Sequence, residues 1–421
     1  MRKKILFMPE ATVLAHVGRL LAVADVVDRE QFEVVFAASG PHAQWIRKTG
    51  YPVHPVYTRP RDKLLARLKS GGSAFDTETL RRYVTDDLRV LREIQPDVVV
   101  GDFRASLSIS AKTLDIPYAC IANAVWTRYI AFKLDPPASW RLTRILGKPV
   151  LRVLSAWLEK PVFQHYAKPF NDVRCEYGLP PQRDIRDCMC SDDLTLLADI
   201  PEFFPTKDLP EAFRYIGPIV WEPDTPLPSW WTALDRTGGR QTVYLTMGST
   251  GPIDDMKRIA LPLLDEGFQV IATSLDKNDP DLNRRDRCFM GEYLPGSAMC
   301  KAADVVVCHA GNGTIYQALQ CGAPVIGVPE FHDQDFNMQR VEVLGLGCAA
   351  RSESDVLDAV HTVLANSGYR DNASAFQKVI EKFDGPRAAA QAIGELAMAN
   401  STARDSARAR ADASAPSGKT G

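Results

Sequence analysis

One stretch constrains the fold of this chain more than any other: Ala303 to Gly347, ADVVVCHAGNGTIYQALQCGAPVIGVPEFHDQDFNMQRVEVLGLG. Val305, Val306 and Val307 form a β-branched run that breaks at Cys308-His309-Ala310-Gly311-Asn312-Gly313-Thr314, after which apolar residues recur at helical spacing. A buried parallel strand therefore feeds a helix through two glycines, and a further strand and a polar turn follow. Such a turn presents unpaired backbone N–H groups at the positive end of a helix dipole, with no side chain to keep a phosphate away. The spacing is neither G-x-G-x-x-G nor the Walker pattern, so a dinucleotide fold and a P-loop ATPase are not its first readings.

The same alternation runs through the rest of the chain. Lys4 to Met8, Glu33 to Ala37 and Val53 to Tyr57 read as strands, with a loop from Pro9 to Gly18 and helices over Val17 to Val27 and Ala43 to Thr49. Short connections between such elements imply a parallel sheet covered on both faces. Ala66 to Arg92 reads as largely helical, Pro96 to Gly101 as a buried strand, Ala105 to Leu114 as a helix and Ile116 to Ile121 as the next strand. Residues 123–190 lose the alternation and hold Trp126, Tyr129, Trp140, Trp157 and other aromatics among basic residues. Those rings either pack among themselves or line a pocket. Leu194 to Ala198 and Tyr215 to Pro218 close the first half, and a Pro- and Trp-rich connector spans residues 219–240.

The second half restarts with the strand Thr242 to Thr246 and another glycine turn, Met247-Gly248-Ser249-Thr250-Gly251. The fold class is thus α/β, with a second domain repeating the pattern of the first and boundaries at 1–218 and 241–398. Residues 399–421 are rich in Ala, Ser and Arg, and too poor in apolar groups to offset their ordering entropy; a disordered tail is expected there.

The formal net charge of −2 removes the electrostatic case for nucleic acid. The nine cysteines are scattered, which fits a reducing cytosol, and Cys188-Met189-Cys190 is not a zinc spacing, so no metal is expected. No signal peptide is read at the N-terminus, and no window approaches the roughly 18 apolar residues of a membrane span. The expected location is cytoplasmic and the expected state a monomer or homodimer.

His309, Gly311, Gly313, Thr314, Gly322, Pro324, Asp333, Gln334 and Asn337 fall in register with the donor signature of the GT-B glycosyltransferases of the UDP-glycosyltransferase superfamily, bacterial secondary-metabolite branch, which the chain resembles over residues 1 to about 398. The resemblance implies two Rossmann-like domains facing across a cleft, with the last helix packing back on the first domain, a hexose donor carried on a nucleoside diphosphate, UDP-glucose first and a dTDP-sugar second, and a small aromatic or apolar acceptor. No cofactor is implied. His309 would hydrogen-bond a phosphate oxygen, and Gly248, Ser249, Thr250, Gly311, Asn312, Gly313 and Thr314 would supply further donors. Tyr293 and Leu294 would flank the base, and Asp333 and Gln334 would bind sugar hydroxyls. Trp126, Tyr129 and Trp140 are the candidate acceptor contacts.

One position departs from that pattern. Gln317 stands where the family carries a Glu that accepts from both ribose hydroxyls, and an amide accepts only through its carbonyl oxygen. A deoxyribose donor loses less by the change than a ribose one.

Transfer to a hydroxyl needs a base, and histidine suits proton removal near neutral pH. His16, on the loop after the first strand, matches the family's catalytic histidine, and Asp102 matches the carboxylate that orients it. The resulting expectation is an inverting, metal-independent glycosyltransferase. A nucleotide-sugar epimerase or hydrolase on the same fold, and a non-catalytic partner protein, are the alternatives.

Overall fold

The computed structural model describes residues 2–414 except 70–74, 134, 137–142, 144, 146, 236, 238, 249–252, 274–278 and 284–285. Trp140, Ser249 and Thr250 therefore lie outside the described residues. The first sheet contains β1 (Lys3–Pro9), β2 (Phe32–Ala37), β3 (Val53–His54), β4 (Val98–Asp102), β5 (Tyr118–Ala122), β6 (Leu194–Leu197) and β7 (Phe213–Tyr215). The second contains β8 (Thr242–Thr246), β9 (Gln269–Thr273), β10 (Cys288–Gly291), β11 (Val305–Cys308), β12 (Val325–Gly327) and β13 (Gly347–Ala349).

Every strand pairing in both sheets is parallel. The orders are β3-β2-β1-β4-β5-β6-β7 and β10-β9-β8-β11-β12-β13. In each sheet the chain reverses direction of winding between two central neighbours, β1 and β4 in one and β8 and β11 in the other. Loops leaving such a pair diverge and open a crevice at the carboxyl ends of the strands. Central strands must be apolar on both faces. Accordingly Ile5 and Phe7 enter one core layer while Leu6 and Met8 enter the other; Tyr244 and Val306, against Val243 and Leu245, do the same in the second sheet.

The two domains share a core. Phe203 and Phe204, on the segment after β6, are fully buried together with Tyr316, Leu319 and Phe376 of the second domain. Arg340 Nε donates to the Phe203 carbonyl at 2.6 Å, fixing the segment there. Truncating one such phenylalanine costs about 3–5 kcal/mol, so the arrangement of the domains is held by packing and not by the connector alone. The connector itself is laid against both cores, Ile219 and Trp221 on the first and Trp230 and Trp231 on the second.

Several elements differ from the sequence reading. The first helix spans Leu14–Asp25, so His16 stands in its first turn and not on a preceding loop. Leu14 and Ala15 are strong helix formers and extend it backward without any side-chain cap. The expected helix over 66–92 is two helices, Arg61–Lys69 and Thr77–Ile94, the second capped by Asp76 accepting from the Thr79 amide. The polar turn read after β12 is a helix, His332–Val343, whose charged sequence hides its periodicity. The final helix spans Gly385–Ser414, through much of the stretch expected to be disordered, because Ala and Arg favour helix even where little can be buried. Its Ala389, Ala392, Ile393 and Ala397 are buried against the first sheet's core.

Candidate active site

β1 and β4 end side by side, Pro9 level with Asp102. His16, one loop beyond β1, meets Asp102 there: its Nδ1–H donates to Asp102 Oδ1 at 2.7 Å. An ionised carboxylate only accepts, so this bond fixes the tautomer and leaves Nε2 as the bare nitrogen. Phe103, the next residue, takes a left-handed backbone (φ 56°) and stacks on the imidazole at 4.9 Å. A non-glycine residue holds that conformation only where its surroundings enforce it. Trp126 packs edge-on to Phe103 and lines, with Met189 and Asn123, the small cavity beside His16.

Arg19, one turn after His16 on the same helix face, grips Asp102 with two parallel bonds, Nε to Oδ2 at 2.7 Å and Nη2 to Oδ1 at 2.6 Å. Asp102 is fully buried. Burial pushes its carboxyl up, but the Arg19 charge and then His16 more than offset that, leaving it below the ordinary carboxylate value. The sequence signal for Arg19 is its i+3 spacing from His16, which the motif reading passed over.

From Arg19 the hydrogen bonds continue toward the second domain. Its Nη1 donates to Asn123 Oδ1 at 2.7 Å. Asn123 Nδ2 and the Ala124 amide donate to Asp199 Oδ2 at 3.2 and 2.7 Å, and Asn312 Nδ2 donates to Asp199 Oδ1 at 2.9 Å. An unbroken row thus joins His16 to Asn312 in the glycine turn. Asp199 is fully buried, and burial raises its pKa despite these donors.

In the second domain two glycine turns close on His309. A Cβ at either Gly248 or Gly311 would overlap its imidazole, so both positions require glycine, and Gly248 adopts φ 59° as well. Burial draws the His309 pKa down to about 4, so the ring is neutral at physiological pH. Its Nδ1 is buried with no hydrogen-bond partner, an orphan that a ligand would satisfy. Ala310, at φ 62°, is held by Asn337, whose Nδ2 donates to the Ala310 carbonyl at 2.9 Å. The helix Asn312–Leu319 begins at Gly311, and the Ile315 amide is the first to find an acceptor, the Gly311 carbonyl. Among the described residues the amides of Asn312, Gly313 and Thr314 have none. They are the N–H groups that the sequence reading expects to meet an anion.

The remaining positions divide. Asp333 stands in the first turn of its helix, where burial raises its pKa despite the bonds from its own and the Gln334 backbone amides. Gln334 turns out to serve its own helix: Oε1 accepts from the Glu330 and Phe331 amides at 2.7 and 3.1 Å, leaving only its NH2 group for a ligand. Gln317 Nε2 donates to Glu222 Oε2 at 2.8 Å, and the Ser297 amide donates to the same oxygen at 2.8 Å. The connector therefore brings a carboxylate to a position that local sequence could not reveal.

Tyr293 is half exposed, edge-on to Trp45, while Leu294 is buried. Tyr129 packs on Phe213 and under Arg128, and does not line the cavity beside His16. Among the described residues no group of three or more His, Cys, Asp or Glu is arranged to hold a metal.

The profile of the family described as UDP-glucoronosyl and UDP-glucosyl transferase matches residues 146–383, more than half of the chain. This protein belongs to that family. A PGL/p-HBAD biosynthesis glycosyltransferase of Mycobacterium tuberculosis is 37% identical over 378 residues, 88% of this chain and 87% of the relative. A PGL/p-HBAD biosynthesis rhamnosyltransferase of Mycobacterium bovis is 38% identical over 380 residues, 89% and 83% of the two chains. The crystal structure of a spinosyn rhamnosyltransferase superposes with a TM-score of 0.67 at 18% identity, covering 93% of this chain and 100% of that one. That enzyme has also been solved with thymidine diphosphate and with the spinosyn aglycone. The fold is therefore GT-B, and this family member is a glycosyltransferase. No helix among the described residues is long and apolar enough to cross a membrane.

Proposed function

We propose that the protein transfers a hexose from a nucleoside-diphosphate sugar to a hydroxyl of a small aromatic or apolar acceptor, with inversion and without a metal ion. The observation that carries this reading is the 2.7 Å bond from His16 Nδ1 to Asp102, which leaves Nε2 unprotonated beside the cavity bounded by Trp126. The acceptor O–H gives its proton to Nε2 while its oxygen attacks the anomeric carbon. The bond from that carbon to the phosphate oxygen breaks on the opposite face, and the nucleoside diphosphate departs. Asp102 stabilises the imidazolium so formed. The charge growing on the leaving phosphate meets the free amides of Asn312, Gly313 and Thr314 and the helix dipole behind them. His309, neutral, presents its unpartnered Nδ1 side to the same group. Asp333 and the Gln334 amide nitrogens offer bonds to sugar hydroxyls.

Donor choice turns on position 317. Gln317 alone would grip a ribose weakly, but it holds Glu222 Oε2, so a carboxylate stands beside it. That favours a ribose donor such as UDP-glucose. The relatives named for rhamnosyl transfer, and a fold neighbour holding thymidine diphosphate, make a dTDP-sugar the second reading. The test is to incubate the purified protein with UDP-glucose and with dTDP-sugars plus phenolic acceptors, with and without EDTA, and to identify products by mass spectrometry and NMR. A β-glycoside from an α-linked donor, formed equally with chelator, is expected. Free sugar released without acceptor, or retention of the α configuration, overturns the reading.

A further inference from the structure

Of the eleven exposed large apolar residues among the described residues, six lie between 145 and 162: Ile145, Val150, Val153, Leu154, Trp157 and Val162. This concentration is not the scatter expected of an ordinary surface. Val150, Val153, Leu154 and Trp157 recur at helical spacing in the first half of the helix Lys148–Glu176, on one face. Trp157 is 81% exposed. The opposite face carries Ala167, Phe170 and Val173, buried in a core cluster with Tyr83, Val84 and Leu88 from the helix Thr77–Ile94. The helix is thus anchored by its second half, while its first half turns a second apolar face outward.

The sequence of that segment carries an excess of one sign of charge. Residues 136–160 contain five basic residues, Arg141, Arg144, Lys148, Arg152 and Lys160, and one acidic residue, Glu159, in a chain whose overall formal charge is −2. Glu159 Oε1 is itself held by Arg186 Nη1 at 2.8 Å, so its charge is already countered.

We propose that this helix face docks on an anionic lipid surface, Trp157 and its apolar neighbours entering the interface while the net positive charge of the segment draws it to lipid phosphates. Apolar groups backed by Lys and Arg, with Trp at the boundary, are the composition of helices that lie in a bilayer interface without spanning it. A second copy of the chain is the poorer occupant. Two copies of a segment with this excess of basic residues repel one another, whereas an anionic surface attracts it. The docking does not depend on the catalytic reading.

Flotation of the purified full-length protein with vesicles of phosphatidylcholine alone, and of phosphatidylcholine with phosphatidylglycerol, tests the proposal. The protein is expected to float with the anionic vesicles, about ten-fold less with the neutral ones, and less as salt is raised. The double variant Leu154→Ser/Trp157→Ser, both positions exposed, is expected to keep the wild-type melting temperature and nucleotide binding while losing flotation by about ten-fold. Wild-type protein that stays with the unbound fraction, or a variant that floats equally well, overturns the proposal. So does a dimer, seen in analytical ultracentrifugation, that the variant dissolves while neither form floats.

Discussion

Asn312 Nδ2 donates to Asp199 Oδ1 at 2.9 Å, and through that bond the glycine turn of the second domain is tied to the row of side chains ending at His16. The two residues stand 113 positions apart. In the proposed function their contact sets the cradle for the leaving phosphate and the base for the acceptor in one frame, although each belongs to a different domain.

Asp199→Asn keeps the volume of this junction but replaces one acceptor oxygen by an NH2 group. If the remaining oxygen keeps Ala124 and Asn123, the new amide opposes that of Asn312. Misplacement of about 1 Å between base and donor can cost about a hundred-fold in rate, so kcat is expected to fall between about ten- and a hundred-fold, with donor affinity within about two-fold of wild type. Steady-state kinetics and calorimetric titration of the nucleoside diphosphate separate the two. An unchanged kcat in a variant that merely melts earlier would make Asp199 structural.

Removing Arg19 exposes the other role of burial. In Arg19→Met, Asp102 loses the charge that holds its carboxyl below the ordinary value, and desolvation then drives it upward. A protonated Asp102 no longer accepts from His16 Nδ1, so the acid limb of the kcat/KM profile is expected to shift to higher pH. Leaving the carboxylate without its fork also costs about 3–5 kcal/mol of stability. Arg19→Lys, which keeps the charge but not the fork, should fall between the two. An acid limb that does not move in Arg19→Met contradicts this assignment.

His309 makes stability depend on pH in a definite direction. Its folded pKa of about 4 lies below the ordinary 6.5, so between these values the unfolded chain binds the extra proton. The stabilisation is complete above about pH 6.5 and is lost as pH falls through about 4, a total of about 3 kcal/mol. Denaturant unfolding at pH 7, 5.5 and 4.5 should show this slope in the wild type and a shallower one in His309→Gln. Equal slopes would mean that His309 does not sit neutral and desolvated.

Glu222→Gln tests the connector carboxylate. A hydrogen bond to a charged group contributes about 1.5–3 kcal/mol, so UDP-glucose is expected to bind at least about ten-fold more weakly to the variant, and a deoxyribose donor to lose less. Competition binding with UDP and dTDP reads the difference directly; equal losses for both would remove Glu222 from the ribose site.

Much of this was legible in the sequence, and the limits have physical causes. Val305–Val307 and the glycines after them announce a buried strand and an anion turn because both are local: propensity and backbone freedom act within a few residues. His16 and Asp102 were readable as a pair through the family resemblance, and they meet because the strands β1 and β4 are neighbours that end together. Arg19 was within reach, one turn from His16, but a lone arginine on a helix is usually a solvated one. Asp199 and Glu222 were out of reach. Their partners lie across the domain boundary, and nothing nearby marks a carboxylate as one that a distant amide will hold. Gln334 makes bonds to its own helix start that compete with any bond to a sugar, and the motif alone does not announce them. The charged run from His332 concealed a helix, because its periodicity is carried by buried polar groups, Gln334, Asp335 and Asn337 among them.

The most direct test of the account is His16→Ala, assayed for transfer and, in the same preparation, for binding of the nucleoside-diphosphate donor. The substitution removes the bare Nε2 but touches nothing in the His309 and Asn312 cradle. Transfer is expected to fall by at least about a hundred-fold with donor affinity unchanged. Retained transfer, or loss of donor binding along with it, would contradict the division of the site into a base on one domain and a phosphate cradle on the other.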